Sequence, residues 1–149
     1  MNNTTQLLKF SKGNSKLGKE TLIFNLPAGH SCPGAKDCKT SVVENEDGKR
    51  RIEDGPHNKF RCYAATAEVI YPAVYAARKH NFEIMRPIGM DKAAMVRTIL
   101  DSMATQKMNK LKRVRVHESG DYFTYSYFAA WMEVATAFPN ITFYSYTKS

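Results

Sequence analysis

No apolar run in this chain approaches the roughly 20 residues that cross a bilayer, so a membrane-spanning helix is not expected. The opening Met1–Thr5 lacks the charged and apolar blocks of a secretory signal, which makes the cytoplasm the expected location. Cysteine is scarce: Cys32, Cys38 and Cys62 are all there is. An odd number of thiols in a reducing compartment excludes a disulfide framework. There is also no long-period repeat, and no recognised nucleic-acid motif.

What is present is an ordinary globular composition. The chain has 149 residues with 43% hydrophobic side chains, enough for one packed core, so a single domain is expected over 1–149. The net charge of +8 permits binding to nucleic acid. The lysines and arginines are scattered from Lys9 to Arg115 rather than gathered in a stripe, as on a solvated surface.

The distinctive stretch is Ala28–Cys38, Ala-Gly-His-Ser-Cys-Pro-Gly-Ala-Lys-Asp-Cys, with Arg61-Cys62-Tyr63-Ala64 further on. Pro33 and Gly34 make a turn between the first two cysteines. Such a loop is expected to bring Cys32 and Cys38 round a common point, with Cys62 returning to meet them. Three thiolates without an obvious fourth ligand suit a [4Fe–4S] cluster with one iron open to a small ligand or substrate. Zinc is the alternative, with His30 or His57 completing the set.

Along the chain, residues 1–20 read as an arm or weak strand. Thr21–Leu26 is a short apolar strand closed by Pro27 and Gly29. Residues 39–60 are turn-rich and charged, the pattern of an exposed excursion. A helix is predicted from Cys62, with Tyr63, Ala67, Ile70, Val74 and Ala77 at helical spacing and a kink at Pro72. Phe82–Met85 reads as a strand. Asp91 is placed to cap a helix over Lys92–Lys107 with Val96, Ile99, Leu100 and Met103 on one face. Lys112–Val116 alternates charge with valine and reads as a strand. The next helix has Phe128, Trp131, Met132 and Ala135 on its apolar face, and Ile141–Tyr146 is a last strand.

Strand, helix and strand in succession make a βαβ unit. The expected fold is therefore α/β: a small, mainly parallel sheet of βα units, half-barrel-like or open, with the cysteine loop at its carboxyl edge. Ligands gather at that edge in parallel α/β proteins. Three segments are expected there: the cysteine loop, His117-Glu118-Ser119-Gly120-Asp121, and Tyr146-Thr147-Lys148-Ser149. His117, Glu118 and Asp121 are the candidate acid, base or hydrogen-bonding groups, and Lys148 a candidate positive charge. The second functional expectation is a metal-stapled basic module that binds nucleic acid or a host protein.

The Cys-Pro-Gly-Ala loop, Arg-Cys-Tyr-Ala, His-Glu-Ser-Gly-Asp and the terminal Tyr-Thr-Lys-Ser together resemble a bacteriophage family, the gene-product-eighty-eight-like proteins. That resemblance implies a viral origin and work in the cytoplasm of an infected bacterium. The Cys-Tyr-Ala context is more distantly similar to radical S-adenosylmethionine enzymes. In those, three cysteines hold a [4Fe–4S] cluster whose free iron binds the cosubstrate, which implies Cys32, Cys38 and Cys62 as cluster ligands. The chain lacks their compact Cys-x-x-x-Cys-x-x-Cys segment.

Overall fold

The computed structural model describes residues 6–13, 16 and 18–147. Its centre is a four-stranded sheet in the order β1-β2-β5-β6. These strands are β1 (Phe10–Lys12), β2 (Thr21–Phe24), β5 (Arg113–Val116) and β6 (Thr142–Tyr144). All four residues of β2 are buried, as expected of a strand covered on both faces. It pairs in parallel with β5, Leu22 opposite Val114 and Phe24 opposite Val116. β5 pairs in parallel with β6. The sheet is nevertheless mixed, because β1 lies antiparallel to β2.

The main core lies against one face of this sheet. Leu22, Phe24, Val114 and Val116 meet Met95, Ile99 and Met103 of α3 (Lys92–Met103) and Tyr127, Ala130, Trp131 and Val134 of α4 (Tyr125–Thr136). Phe24 and Trp131 touch with ring centroids 5.3 Å apart. Asp91 caps α3 by accepting from the Ala94 amide, and Thr124 caps α4 by accepting from that of Tyr127. The βαβ unit predicted for the last third of the chain is formed by β5, α4 and β6.

Several expectations are corrected. Residues 39–60 hold an antiparallel hairpin, β3 (Thr40–Glu44) with β4 (Arg50–Asp54). It packs on α1 (Tyr63–Ile70) around a small cluster of Ala28, Val42, Ala64 and Ala65. Its sequence hides it because Val42 is the one apolar side chain fully buried there, the other buried residue being the polar Thr40. Arg50 fixes the hairpin to the helix by donating to the Glu68 and Val69 carbonyls, which lack helical partners at that end. Pro72 does not kink one helix: it opens a second, α2 (Pro72–Met85), after a break at Tyr71. Phe82–Met85 is the end of α2, not a strand. Asn81 and Met85 are buried on its inner face at the i, i+4 spacing of a helix. α3 stops at Met103, short of Lys107.

The buried face of α4 is also rotated from the expected one. Tyr127, Ala130, Trp131 and Val134 are inside, while Phe128 and Met132 are exposed. The reason is chemical. A tyrosine can be buried when its hydroxyl has a partner, and Tyr127 bonds His117 at 2.6 Å.

Candidate functional site

A cavity of about 300 Å³ lies where the segments leaving β2 and β5 meet the start of α1. The side chain of Asn25, just after β2, fixes the Glu118–Ser119 segment of its floor. Its Oδ1 accepts from the amides of both Glu118 and Ser119 at 2.8 Å. The Leu26 amide donates to the Ser119 carbonyl, and the Asp121 amide to the Ser31 hydroxyl. Gly120 completes the turn with φ +90°, and a Cβ there would sit 2.6 Å from the Ser31 hydroxyl and 2.7 Å from Leu26 Cβ. Only glycine meets both demands.

A buried carboxylate ties this floor to the helices. Glu68 Oε2 accepts from the Ala28 amide and from Arg78 Nη1, both at 2.9 Å, and from Ser119 Oγ at 3.3 Å. With Glu68 fully buried and Arg78 nearly so, this ion pair joins the loop after β2, α1, α2 and the turn after β5.

Cys32, Cys38 and Cys62 all line the cavity, and so do His117, Glu118 and Asp121. Among the described residues, however, no group of three or more His, Cys, Asp or Glu side chains is arranged to hold a metal ion. This overturns the iron–sulfur reading and its open iron, and the metal staple of the second reading has no such group either. The backbone of the Cys-Pro-Gly segment is engaged in its own turns and by a lysine. Cys32 N donates to Gly29 O, Ala35 N to Cys32 O, and Lys39 Nζ to Cys32 O at 2.7 Å. Cys62 is held separately as the N-cap residue of α1, its amide donating to Thr40 Oγ1. His30 is exposed and bonded to the Val42 carbonyl, and His57 is exposed. Burial, opposed in part by the Gly29 backbone and the Ser31 hydroxyl, pushes the Cys32 thiol up to about 11. At neutral pH it is a protonated, softly apolar wall and a poor nucleophile.

His117 is the most constrained residue of the site. It is 3% exposed and is the one non-glycine with positive φ among the described residues, at 75°. Such strain persists only where the surroundings over-determine it. Its amide donates to the Phe24 carbonyl, and its ring is walled by Phe24, Tyr122 and Tyr127. Burial lowers its pKa to about 3, with Asp121 pulling weakly the other way, so the imidazole is neutral at pH 7. Burial also raises the Tyr127 pKa well above its ordinary value. Tyr127 therefore keeps its proton, and we assign its hydroxyl as the donor to His117 Nε2, the imidazole taking the matching one of its two tautomers. A neutral imidazole accepting at Nε2 carries its hydrogen on Nδ1. That Nδ1 is buried with no partner among the described residues.

Asp121 is also buried, its carboxylate accepting from the Tyr122 amide at 2.7 Å and from Thr147 Oγ1 at 2.7 and 3.0 Å. Glu118 is half-buried, its carbonyl accepting from the Tyr63 hydroxyl at 3.4 Å. Lys148 lies outside the described residues.

Sequence reasoning missed Arg115, Tyr63, Phe60 and Glu68 as parts of the site. Arg115 was counted as scattered surface charge. Its guanidinium lies 5.5 Å from the centre of the Tyr146 ring, and its Nε is buried without a hydrogen-bond partner among the described residues. The signal available was the Arg-Val-Arg-Val alternation, which puts Arg115 on the face opposite the valine core.

No solved structure matches the chain. The Gene 88 protein of Mycobacterium phage D29 is 31% identical to it over 93 residues, 58% of this chain and 38% of that protein. The Gene 88 protein of Mycobacterium phage L5 is 30% identical over the same shares. The matched segment thus spans under two fifths of those relatives' length. No helix among the described residues is long and apolar enough to cross a membrane. The family model for gene product 88 matches residues 6–149, nearly the whole chain with its Cys-Pro-Gly-Ala and His-Glu-Ser-Gly-Asp segments, and this protein belongs to that phage family.

Proposed function

We propose that this phage protein binds a small organic ligand in the cavity between the β2 and β5 ends and α1. The observation that carries the reading is the buried, strained, neutral His117, with Nδ1 unpartnered in the wall of a 300 Å³ cavity. A buried donor without an acceptor costs about 1–3 kcal/mol, and a bound ligand supplying an acceptor recovers much of that. The volume is at the lower end for small-molecule sites, and the mix of apolar wall and a few polar groups is typical of them. The place also supports it, since ligands of open α/β sheets gather where parallel strands end.

In this reading His117 is a hydrogen-bond donor and not a proton shuttle, because its pKa lies far below neutrality. Asp121 and Glu118 set the ligand's orientation. The protonated Cys32 thiol and the aromatic side chains exclude water.

A fragment screen followed by backbone amide shifts in a ¹⁵N spectrum tests the site. The expected outcome is a set of hits whose shifts centre on Gly29, Cys62, Gly120 and Tyr146. Hits that cluster instead round Ala73, Val74 and Asn81, which line a separate groove beside β1, would reject it.

A further inference from the structure

We infer that the ligand is a flat, uncharged heteroaromatic ring of the nucleobase type, an inference that rests on the small-ligand reading above. Three independent features of the cavity point there.

The first is the pattern of unmet hydrogen bonds. With the tautomer assigned above, two lining residues hold buried N–H donors without partners among the described residues, His117 at Nδ1 and Arg115 at Nε. No lining residue has a buried acceptor in that state. The ligand must therefore offer acceptors to this wall. A ring nitrogen or exocyclic carbonyl does so, whereas a hydrocarbon leaves both donors unmet.

The second is charge. The lining carries two cations, Arg61 and Arg115, and two carboxylates, Glu118 and Asp121. Arg61 is in addition engaged by Asp54, its Nε and Nη2 donating at 3.0 and 2.9 Å. Among the described lining residues no positive excess remains for a phosphate or carboxylate, despite the protein's overall charge. The acceptors required are those of a neutral molecule. The carboxylates can in turn accept from an amino or imino group on the same ring.

The third is shape. Three aromatic side chains line the cavity while still open to solvent: Phe60 at 55%, Tyr63 at 68% and Tyr146 at 71% exposure. Large exposed aromatic side chains gathered at one opening offer flat apolar faces. Tyr146 already holds a planar group, the Arg115 guanidinium, over its ring. A flat heterocycle is the ligand that uses stacking faces and edge donors together, and about 300 Å³ accommodates a base with its sugar. The base can come from a free nucleoside or from an unpaired position in a strand. The ring chemistry recognised is the same.

The test titrates the four ribonucleosides, short single-stranded oligonucleotides, benzoate, inorganic phosphate and cyclohexanol into ¹⁵N-labelled protein. At least one nucleoside is expected to saturate with shifts at Gly29, Gly120 and Tyr146. The variants Tyr146→Ala and Arg115→Met should each weaken it about tenfold or more. His117→Asn, which suits positive φ, should do the same if it folds. Tighter binding by an oligonucleotide, still lost in Tyr146→Ala, identifies a strand as the source. Equal affinity for the free nucleoside identifies the small molecule. If benzoate, phosphate or cyclohexanol binds this cavity and no nucleoside does, the heterocycle inference is overturned while the cavity remains a ligand site. If no probe or fragment shifts these residues, both fall.

Discussion

The molecule has two unequal halves, and their difference explains where the site is. One is the sheet with α3 and α4, whose core runs from Leu8 to Val134 and includes Trp131, Phe24 and three methionines. The other is the hairpin with α1, whose buried apolar cluster is Ala28, Val42, Ala64 and Ala65. Hydrophobic stabilisation scales with apolar area removed from water, so the first half can stand on packing while the second depends on polar ties. Those ties are Glu68 with Arg78, Arg50 on the end of α1, and Thr40 beneath Cys62 and Asn58. The cavity opens along the seam, with the rigid strand ends as one wall and the lightly packed hairpin side as the other. A seam between a stiff and a softer unit positions donors firmly yet lets a ligand enter.

Substitutions can break this comparison in order of size. Trp131→Ala in the large core should cost about 3–5 kcal/mol, while Val42→Ala in the small one should cost about 1–2 kcal/mol from its two lost methyl groups. Urea denaturation of both variants measures the gap, and equal losses would mean that the halves are not unequal. Glu68→Ala leaves Arg78 buried without its carboxylate and should cost about 3 kcal/mol or more. The ion pair joins the halves, so most of that loss should return when Arg78→Met is added. Hydrogen exchange should also show the β3–β4 amides opening before those of β2 and β5 in this variant. No rescue by Arg78→Met would deny the pair its tying role.

A third effect is on pH dependence. The folded-state pKa of His117, about 3, lies below the ordinary 6.5. Its contribution is therefore fully present above pH 6.5 and declines as the pH falls, because only the unfolded chain takes up the proton. The limiting slope is about 1.4 kcal/mol per pH unit. His117→Asn should remove that slope between pH 6.5 and 4, leaving the slopes from other groups in place. Parallel stability curves for the two proteins would show that His117 is not held neutral.

Much of the large half was legible in the chain. The Thr21–Phe24 run is the pattern of a strand buried on both faces and the alternating Arg-Val-Arg-Val that of one buried on one face, while near Trp131 the helix was legible but not which face it buries. The hairpin was not legible, since its stability comes from contacts with α1 and not from its own apolar periodicity. The strand expected at Phe82–Met85 failed for a related reason. Four residues are too few to separate a strand from the last turn of a helix.

The site divides along the same line. Local chemistry fixed the turns at Pro33–Gly34 and Ser119–Asp121, the cap at Asp91 and the grouping of His117, Glu118 and Asp121 on one segment. Three cysteines in turn-rich surroundings also pointed, wrongly, to an iron–sulfur cluster, because spacing cannot tell converging thiols from thiols spread along a wall. That difference arises from which side chains bond the backbone of these segments. Lys39 reaches Cys32 O, Thr40 fixes Cys62, and Asn25 folds the turn at Glu118. Nor does the sequence state that His117 is buried, strained and neutral, or that Arg115 lies over Tyr146. Each follows from what the folded chain packs against it. The sequence determined which groups stand near a strand end, and only the tertiary structure decided which way they face, whether they carry charge and what they lack.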